Sequence, residues 1–379
     1  MLRLAALSVA IVIASALDPA MCKLPNRSPR DDVALGFPRI PYRLNPIGRR
    51  SWSILAVDFP DLPATETPAS VLAALSPASK FYASTSYGRL TAVLALGVPT
   101  VVRMPLPSSA YSFSTFYSHR SYLRNATDAA CDAGWDPAGG WDSVVVFAAV
   151  PTPTLSYGPA FCAAPGDGYA ASCDASVVFL NSATKGNDFD HWGYKWFNHE
   201  NSHTMGLVDL YAFSGAGQFR FTGQWSLMGD ISGAGPEFFG WERWLLGWLT
   251  DAQVACLGTG NTTLSLAPLS GGGGASASRL IVVPTPSALS TTGVVVEFRV
   301  PMNYDAAIPK AGLLVYFLDT SLATGEGPLR VLNAADGDNA KLQAPLAVGE
   351  AFSFAGVTIK HQSTDVEGSA VVAVSVAWA

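Results

Sequence analysis

From Ser51 the chain reads SWSILAVDFPD, a short apolar run closed by Asp58, Pro60 and Asp61. An apolar run bounded by turn residues predicts a buried strand. The next segment, PASVLAALSPASKFYASTSYGRL, carries apolar positions at helical spacing, broken at Pro77 and Gly88. The β-branched runs in WDSVVVFAAV and ASVVFLNSA predict further strands. Asn187, Asp188 and Asp190 then offer N-caps, and HWGYKWFNHENSHTM continues at helical spacing without proline. A second helix is expected in PEFFGWERWLLGWL, with Pro236 in its first turn. Its broad apolar face includes Trp241, Trp244 and Trp248, and no basic polar face opposes it, so it is expected to pack in a core.

Beyond about Asp251 the texture changes. VVVEFRV, GLLVYFLD, AFSFAGVTI and AVVAVSVAW read as strands separated by GGGG, DGDN and similar loops. The pattern predicts an α/β or α+β catalytic domain over residues 51–250, read here as α+β with an active-site helix. A C-terminal β-sandwich-like module follows over 251–379. Residues 17–50 are rich in Pro, Arg and Asp without periodicity, and read as a pro-segment or an extended arm. Arg49-Arg50 is either a processing site or a basic pair just before a strand.

Residues 1–16 read as a signal peptide: Arg3, the apolar run Leu4 to Ala14, and an A-x-A site at Ala14-Ser15-Ala16. The apolar run is too short to span a bilayer. A secreted protein is therefore expected, with no membrane span. Only 14% of the residues are charged, the net charge is −6, and no dense Lys/Arg run occurs, which argues against a nucleic-acid partner.

An oxidising destination makes the five cysteines informative. Cys162 with Cys173, close together in a Gly/Pro/Ala-rich loop, is the simplest disulfide to expect, and Cys131 with Cys256 would be the second; other connectivities are open. Asn125, Asn261 and Asn26 head N-x-S/T tripeptides and are glycosylation candidates.

The chemistry concentrates in FNHENSHTMGLVDLY. On a helix, His199 and His203 lie about 40° apart around the axis and one turn apart along it, so both imidazoles can reach one ion. Glu200 beside the first completes an HExxH arrangement. Gly206 suits a left-handed helix stop, after which the chain can return and bring Asp209 to the same ion. Two imidazoles and a carboxylate leave an open position, as in catalytic zinc sites. Zinc would lower the pKa of its bound water, Glu200 would take the proton as hydroxide attacks a peptide carbonyl, and Glu200 would hand it to the leaving amine. Glu242 or Glu237 in the following helix could serve instead of Asp209 as third ligand; Asp209 is favoured because Gly206 gives the chain a reason to return.

HENSHTMGLVDLY resembles the HExxHxxGxxD signature of the immune inhibitor A-type secreted metalloproteases, and is similar to that of the related gametolysin-type cell-wall proteases. ILAVDFPD, FYASTSYGRL, GQWSLMGD, WERWLLGWL and the C-terminal β segment resemble other parts of the family in the same order. The resemblance implies a zincin/metzincin-like fold and a zinc endopeptidase that binds metal through His199, His203 and Asp209. Glu200 is then the base, and Met228 lies in a turn below the imidazoles. The chain departs from the pattern at Ser202, where the family usually has glycine, and at the polar Asn201. PAMCKLPN resembles the pro-segment stretch whose thiolate blocks zinc in matrix metalloproteases, which would give Cys22 that role.

The expected partner is a protein or peptide substrate met by a monomer. The competing expectation is a catalytically silent secreted glycoprotein that keeps the fold for binding or adhesion. A Ca²⁺ role for the DGDN loop at Asp336–Asn339 is a further candidate, although the loop lacks EF-hand spacing and turn chemistry accounts for it as well.

Overall fold

The strand expected at Ser51 begins slightly earlier and runs over Gly48–Asp58 (β1). The computed structural model describes residues 16–30, 33–271, 277–334 and 338–378. The proposed signal peptide up to Ser15, and Asp336 of the candidate calcium loop, lie outside the described residues.

Helices α1 (Pro68–Leu75) and α2 (Pro77–Thr85) meet at Pro77, which cannot donate the hydrogen bond that would continue α1. Strands β2 (Leu90–Leu96) and β3 (Ser143–Ala148) flank β1, and α3 (Phe116–Asp132) connects them. Both α1 and α3 open on capping boxes, Thr67 with Ser70 and Thr115 with Ser118. Strands β4 (Ala160–Cys162) and β5 (Asn181–Lys185) complete a sheet of order β2-β1-β3-β5-β4, with Val102–Arg103 also paired to β1. The first four strands are parallel, and β4 runs antiparallel at the edge. The sheet is buried on both faces, as parallel sheets are. Ile54 and Ala56 of β1 face one core with Phe81, Tyr82 and Phe197. Leu55 and Val57 face another with Tyr122, Leu123 and Phe179.

Two helix expectations need correction. Asn187 and Asp188 do not cap: Asn187 Oδ1 accepts Thr152 N–H at 2.8 Å and Asp188 Oδ2 accepts Gly158 N–H at 2.9 Å, so both are spent on loops. A single turn over Phe189–Trp192 stops at Gly193, φ +57°, and the site helix α4 (Tyr194–Thr204) starts afresh. The second helix is only Gly240–Leu245 (α5). Pro236 precedes it and offers its carbonyl to Leu227 N–H at 3.0 Å.

The C-terminal region is β-rich. One sheet has the order Ala16–Leu17, β6 (Val254–Leu257), β8 (Leu280–Pro284), β9 (Thr292–Arg299), β10 (Gly312–Asp319), β11 (Leu329–Val331). The other comprises β7 (Gly260–Leu266), β14 (Ala370–Val376), β13 (Val357–Thr364) and β12 (Ala351–Phe354). Alternation along β8 sends Ile281 and Val283 into the core shared by the two sheets. Leu280 and Val282 point the opposite way, into the core that also holds Trp241, Trp248 and Phe197.

The arm over residues 17–50 is threaded into that second core through Cys22, Leu24, Leu35 and Leu44. Arg49 and Arg50 lie inside β1 rather than before it. The disulfides are Cys22–Cys256 and Cys131–Cys173, in place of the expected Cys162–Cys173 and Cys131–Cys256. Nearness in sequence misled here. The end of α3 brings Cys131 to Cys173, with Cα atoms 5.6 Å apart, while Cys162 sits in β4 opposite Asn181. Cys22 is fully buried and disulfide-bonded, so it presents no thiolate to a metal.

Candidate metal centre

Helix α4 places His199 and His203 one turn apart on one face. It ends where Gly206, at φ +107°, takes a conformation that favours glycine, and Leu207 N–H returns to Ser202 O at 3.0 Å. The reversal brings Asp209 back over the helix. His199 Nε2 lies 3.1 Å and His203 Nε2 3.2 Å from Asp209 Oδ1, and the two Nε2 atoms are 3.2 Å apart. Ligands on a tetrahedral ion with bonds of about 2.0–2.1 Å are separated by about 3.3 Å. The triangle therefore has the size and the donor chemistry of a divalent metal site, and these three residues form a candidate cluster.

The imidazoles are oriented from behind. His199 Nδ1–H donates to Leu227 O at 2.7 Å and His203 Nδ1–H to Leu207 O at 2.9 Å, which turns both Nε2 atoms toward the triangle. Leu227 belongs to the turn that holds Met228. Met228 is fully buried, and its carbonyl accepts Leu210 N–H at 2.8 Å, next to Asp209. Asp209 N–H donates to Thr324 Oγ1 at 3.0 Å, from the loop after β10. The Tyr211 ring stacks on His199 with centroids 6.3 Å apart. Burial opposes charge on His203, but the Asp209 carboxylate overcomes this and lifts the imidazole to about 9. Burial likewise opposes the charge of Asp209, and the two imidazoles outweigh it and hold the carboxyl well below its usual range.

Glu200 faces the same cleft, about 390 Å³ in volume, which Phe116, Phe161 and Tyr211 also line. Its Oε2 accepts Ala160 N–H at 2.7 Å from edge strand β4. Burial pushes its carboxyl up to about 6, against the pull of His199 and His203. The loop before β4 is locked by Trp196 Nε1–H, which donates to Gly158 O at 2.7 Å. A Cβ on Gly158 would fall 2.2 Å from Thr184 O, so this approach requires glycine.

Glu242 and Glu237 do not join the triangle. Glu242 Oε2 accepts the Ser226 hydroxyl and Phe239 N–H, each at 2.8 Å. Glu237 Oε2 pairs with Arg243 at 2.6 Å and accepts the Ser270 hydroxyl at 2.7 Å. Among the glycosylation candidates, Asn261 is exposed on β7. Asn125 is half-buried in α3, with its amide donating to Tyr111 Oη at 3.2 Å, and Asn26 Oδ1 accepts Ser28 N–H at 3.1 Å. Tyr211, Ala160, Leu227 and Thr324 escaped the sequence reading. Two of them act through backbone groups, which leave no residue-type signal, and all but Tyr211 lie far from the motif along the chain.

The chain matches no family model and no curated protein, so its likeness to the immune inhibitor A-type proteases rests on its motifs alone.

Proposed function

We propose that this chain is a secreted, zinc-dependent endopeptidase of the zincin kind, acting on extracellular or cell-wall proteins. The observation that carries the proposal is the His199, His203 and Asp209 triangle with Glu200 beside it in one cleft. A bound zinc ion would supply Lewis acidity and acidify a water in the cleft. His199, His203 and Asp209 would hold the ion. Glu200, with its carboxyl near 6, is suited to take a proton from water at neutral pH and deliver it to the departing peptide nitrogen. Its bond from Ala160 N–H fixes one carboxylate oxygen and leaves the other to handle the proton. Tyr211 stays protonated, because burial and the charges of Asp209 and Glu200 hold its hydroxyl far above neutrality. Strand β4 lines the cleft at the sheet edge, where an extended polypeptide can add as a further strand.

The test measures zinc per chain and cleavage of casein or gelatin, for the protein and for Glu200→Gln. Stoichiometric zinc in both is expected, with hydrolysis lowered by about 10²–10⁴-fold in the variant. Zinc bound without Glu200-dependent cleavage would support the silent binding protein instead.

A further inference from the structure

Behind His199 lies a turn held in an unfavourable shape. Ser226 has φ +65°, in the left-handed region that favours glycine. The residue after it supplies the carbonyl that receives His199 Nδ1–H at 2.7 Å. Backbone bonds close the turn: Ser226 N–H donates to Gly235 O at 2.8 Å, and Gly229 N–H and Asp230 N–H to Ser226 O at 2.9 and 3.0 Å. The Ser226 side chain adds a tie. Its Oγ accepts Met228 N–H at 3.2 Å and donates its proton to Glu242 Oε2 at 2.8 Å. Both residues are fully buried.

Glu242 is itself anchored. The same Oε2 accepts Phe239 N–H at 2.8 Å, so one oxygen serves the start of α5 and the turn under the histidine. Helix α5 rests on the C-terminal sheet, where Gly240 N–H donates to Glu297 Oε2 at 2.6 Å and Trp241 N–H to Tyr316 Oη at 3.2 Å. A rigid path therefore runs from β9 and β10 through α5 to the carbonyl behind His199.

We propose that Glu242 is a positioning residue for His199: through Ser226 it holds the left-handed turn that aims the Leu227 carbonyl at Nδ1 and so directs Nε2 into the triangle. The proposal rests on His199 being a metal ligand. Glu242 stands behind His199 with Ser226 and the Leu227 carbonyl between them, and its carboxylate takes two donors that water cannot reach.

The test is zinc affinity, measured by competition with a chromophoric chelator, with folding followed by circular dichroism. Loss of a partner behind a metal-ligating imidazole lowers affinity by about 10–100-fold. That loss is expected in Glu242→Leu, which keeps the bulk and removes the acceptor, and in Ser226→Ala, and their double variant should lose little more than either alone. Ser226→Gly should bind zinc within about threefold of the unchanged protein. Combined with Glu242→Leu, Ser226→Gly should restore most of the affinity lost in the single variant, because glycine takes the turn unaided. If Glu242→Leu does not fold, Ser226→Ala against Ser226→Gly decides alone. Equal affinity in these two variants, or unchanged affinity in Glu242→Leu, would overturn the proposal. A failure of the unchanged protein to bind zinc would instead remove the metal reading itself, and this proposal with it.

Discussion

Asn201 and Ser202 stand between Glu200 and His203 in the chain, yet their side chains turn away from the cleft. Asn201 Oδ1 accepts Trp52 Nε1–H at 2.8 Å, and the Ser202 hydroxyl donates to Asn198 O at 2.6 Å. At about 100° per residue Asn201 lies opposite the histidines and Ser202 on the flank about 60° from His199, and both are buried in core contacts rather than presented to the metal face. His119 is another buried polar residue, and it links stability to pH. Its Nε2 lies 2.7 Å from Thr184 Oγ1, and burial pushes its pKa down to about 3. The folded chain keeps it neutral while the unfolded chain protonates it below about 6.5. Its contribution is whole above pH 6.5 and is lost as the pH falls towards 3, by on the order of 4 kcal/mol. Urea unfolding at pH 7 and pH 4 should show a smaller acid loss in His119→Gln than in the unchanged protein; equal losses would refute this role. At this scale the sequence was most legible where spacing alone fixes geometry. His199, Glu200, His203, Gly206 and Asp209 share one helix and its stop, whereas the Ala160, Leu227 and Thr324 contacts depend on strands and loops that meet only in three dimensions.

Helices show the same division. The break at Pro77 was legible because proline lacks a donor, but the restart at Gly193 was hidden inside a continuous helical pattern. Nor does the sequence reveal how α4 is finished. Its last carbonyls are met by the arm: Leu44 N–H donates to Thr204 O at 2.9 Å, Arg39 Nη1 to Met205 O at 3.0 Å, and Ala34 N–H to Gly206 O at 3.3 Å. Helix ends leave carbonyls without partners and carry partial negative charge, so a cation there is favourable. Arg39→Ala is expected to destabilise the protein by about 1–2 kcal/mol. Arg39→Lys should recover part of that loss. Urea midpoints read both, and a neutral Arg39→Ala would show that the arm's backbone bonds suffice.

Across the whole molecule, the region beyond about Asp251 is β-rich, and one core runs across that point. Trp241 and Trp248 from one side pack in the same cluster as Leu280 and Tyr316 from the other, together with Cys22 and Leu35 of the arm. Trp241 Nε1–H also donates to Leu35 O at 2.7 Å. The two disulfides close spans of 234 and 42 residues. In the chain-entropy account the longer closure stabilises by about 1.5 kcal/mol more than the shorter. Cys22→Ser with Cys256→Ser is therefore expected to lower stability by roughly 2–5 kcal/mol and to exceed the loss from Cys131→Ser with Cys173→Ser. Thermal unfolding of the two double variants decides it, and the reverse order would mean that local strain outweighs loop length.

The threaded arm also imposes an order on the making of the protein. A ribosome delivers Cys22 first, and the next thiol to emerge is Cys131, while its native partner Cys256 follows much later. Emergence and pairing are thus out of step, so correct oxidation has to wait or be repaired by exchange. The helix that carries both histidines is complete once Thr204 has been made. Thr324, which holds Asp209 in place, comes more than a hundred residues later. A nascent chain therefore carries the whole motif before it carries the supported site, and Asp209 gains its Thr324 partner only after another 115 residues have been made.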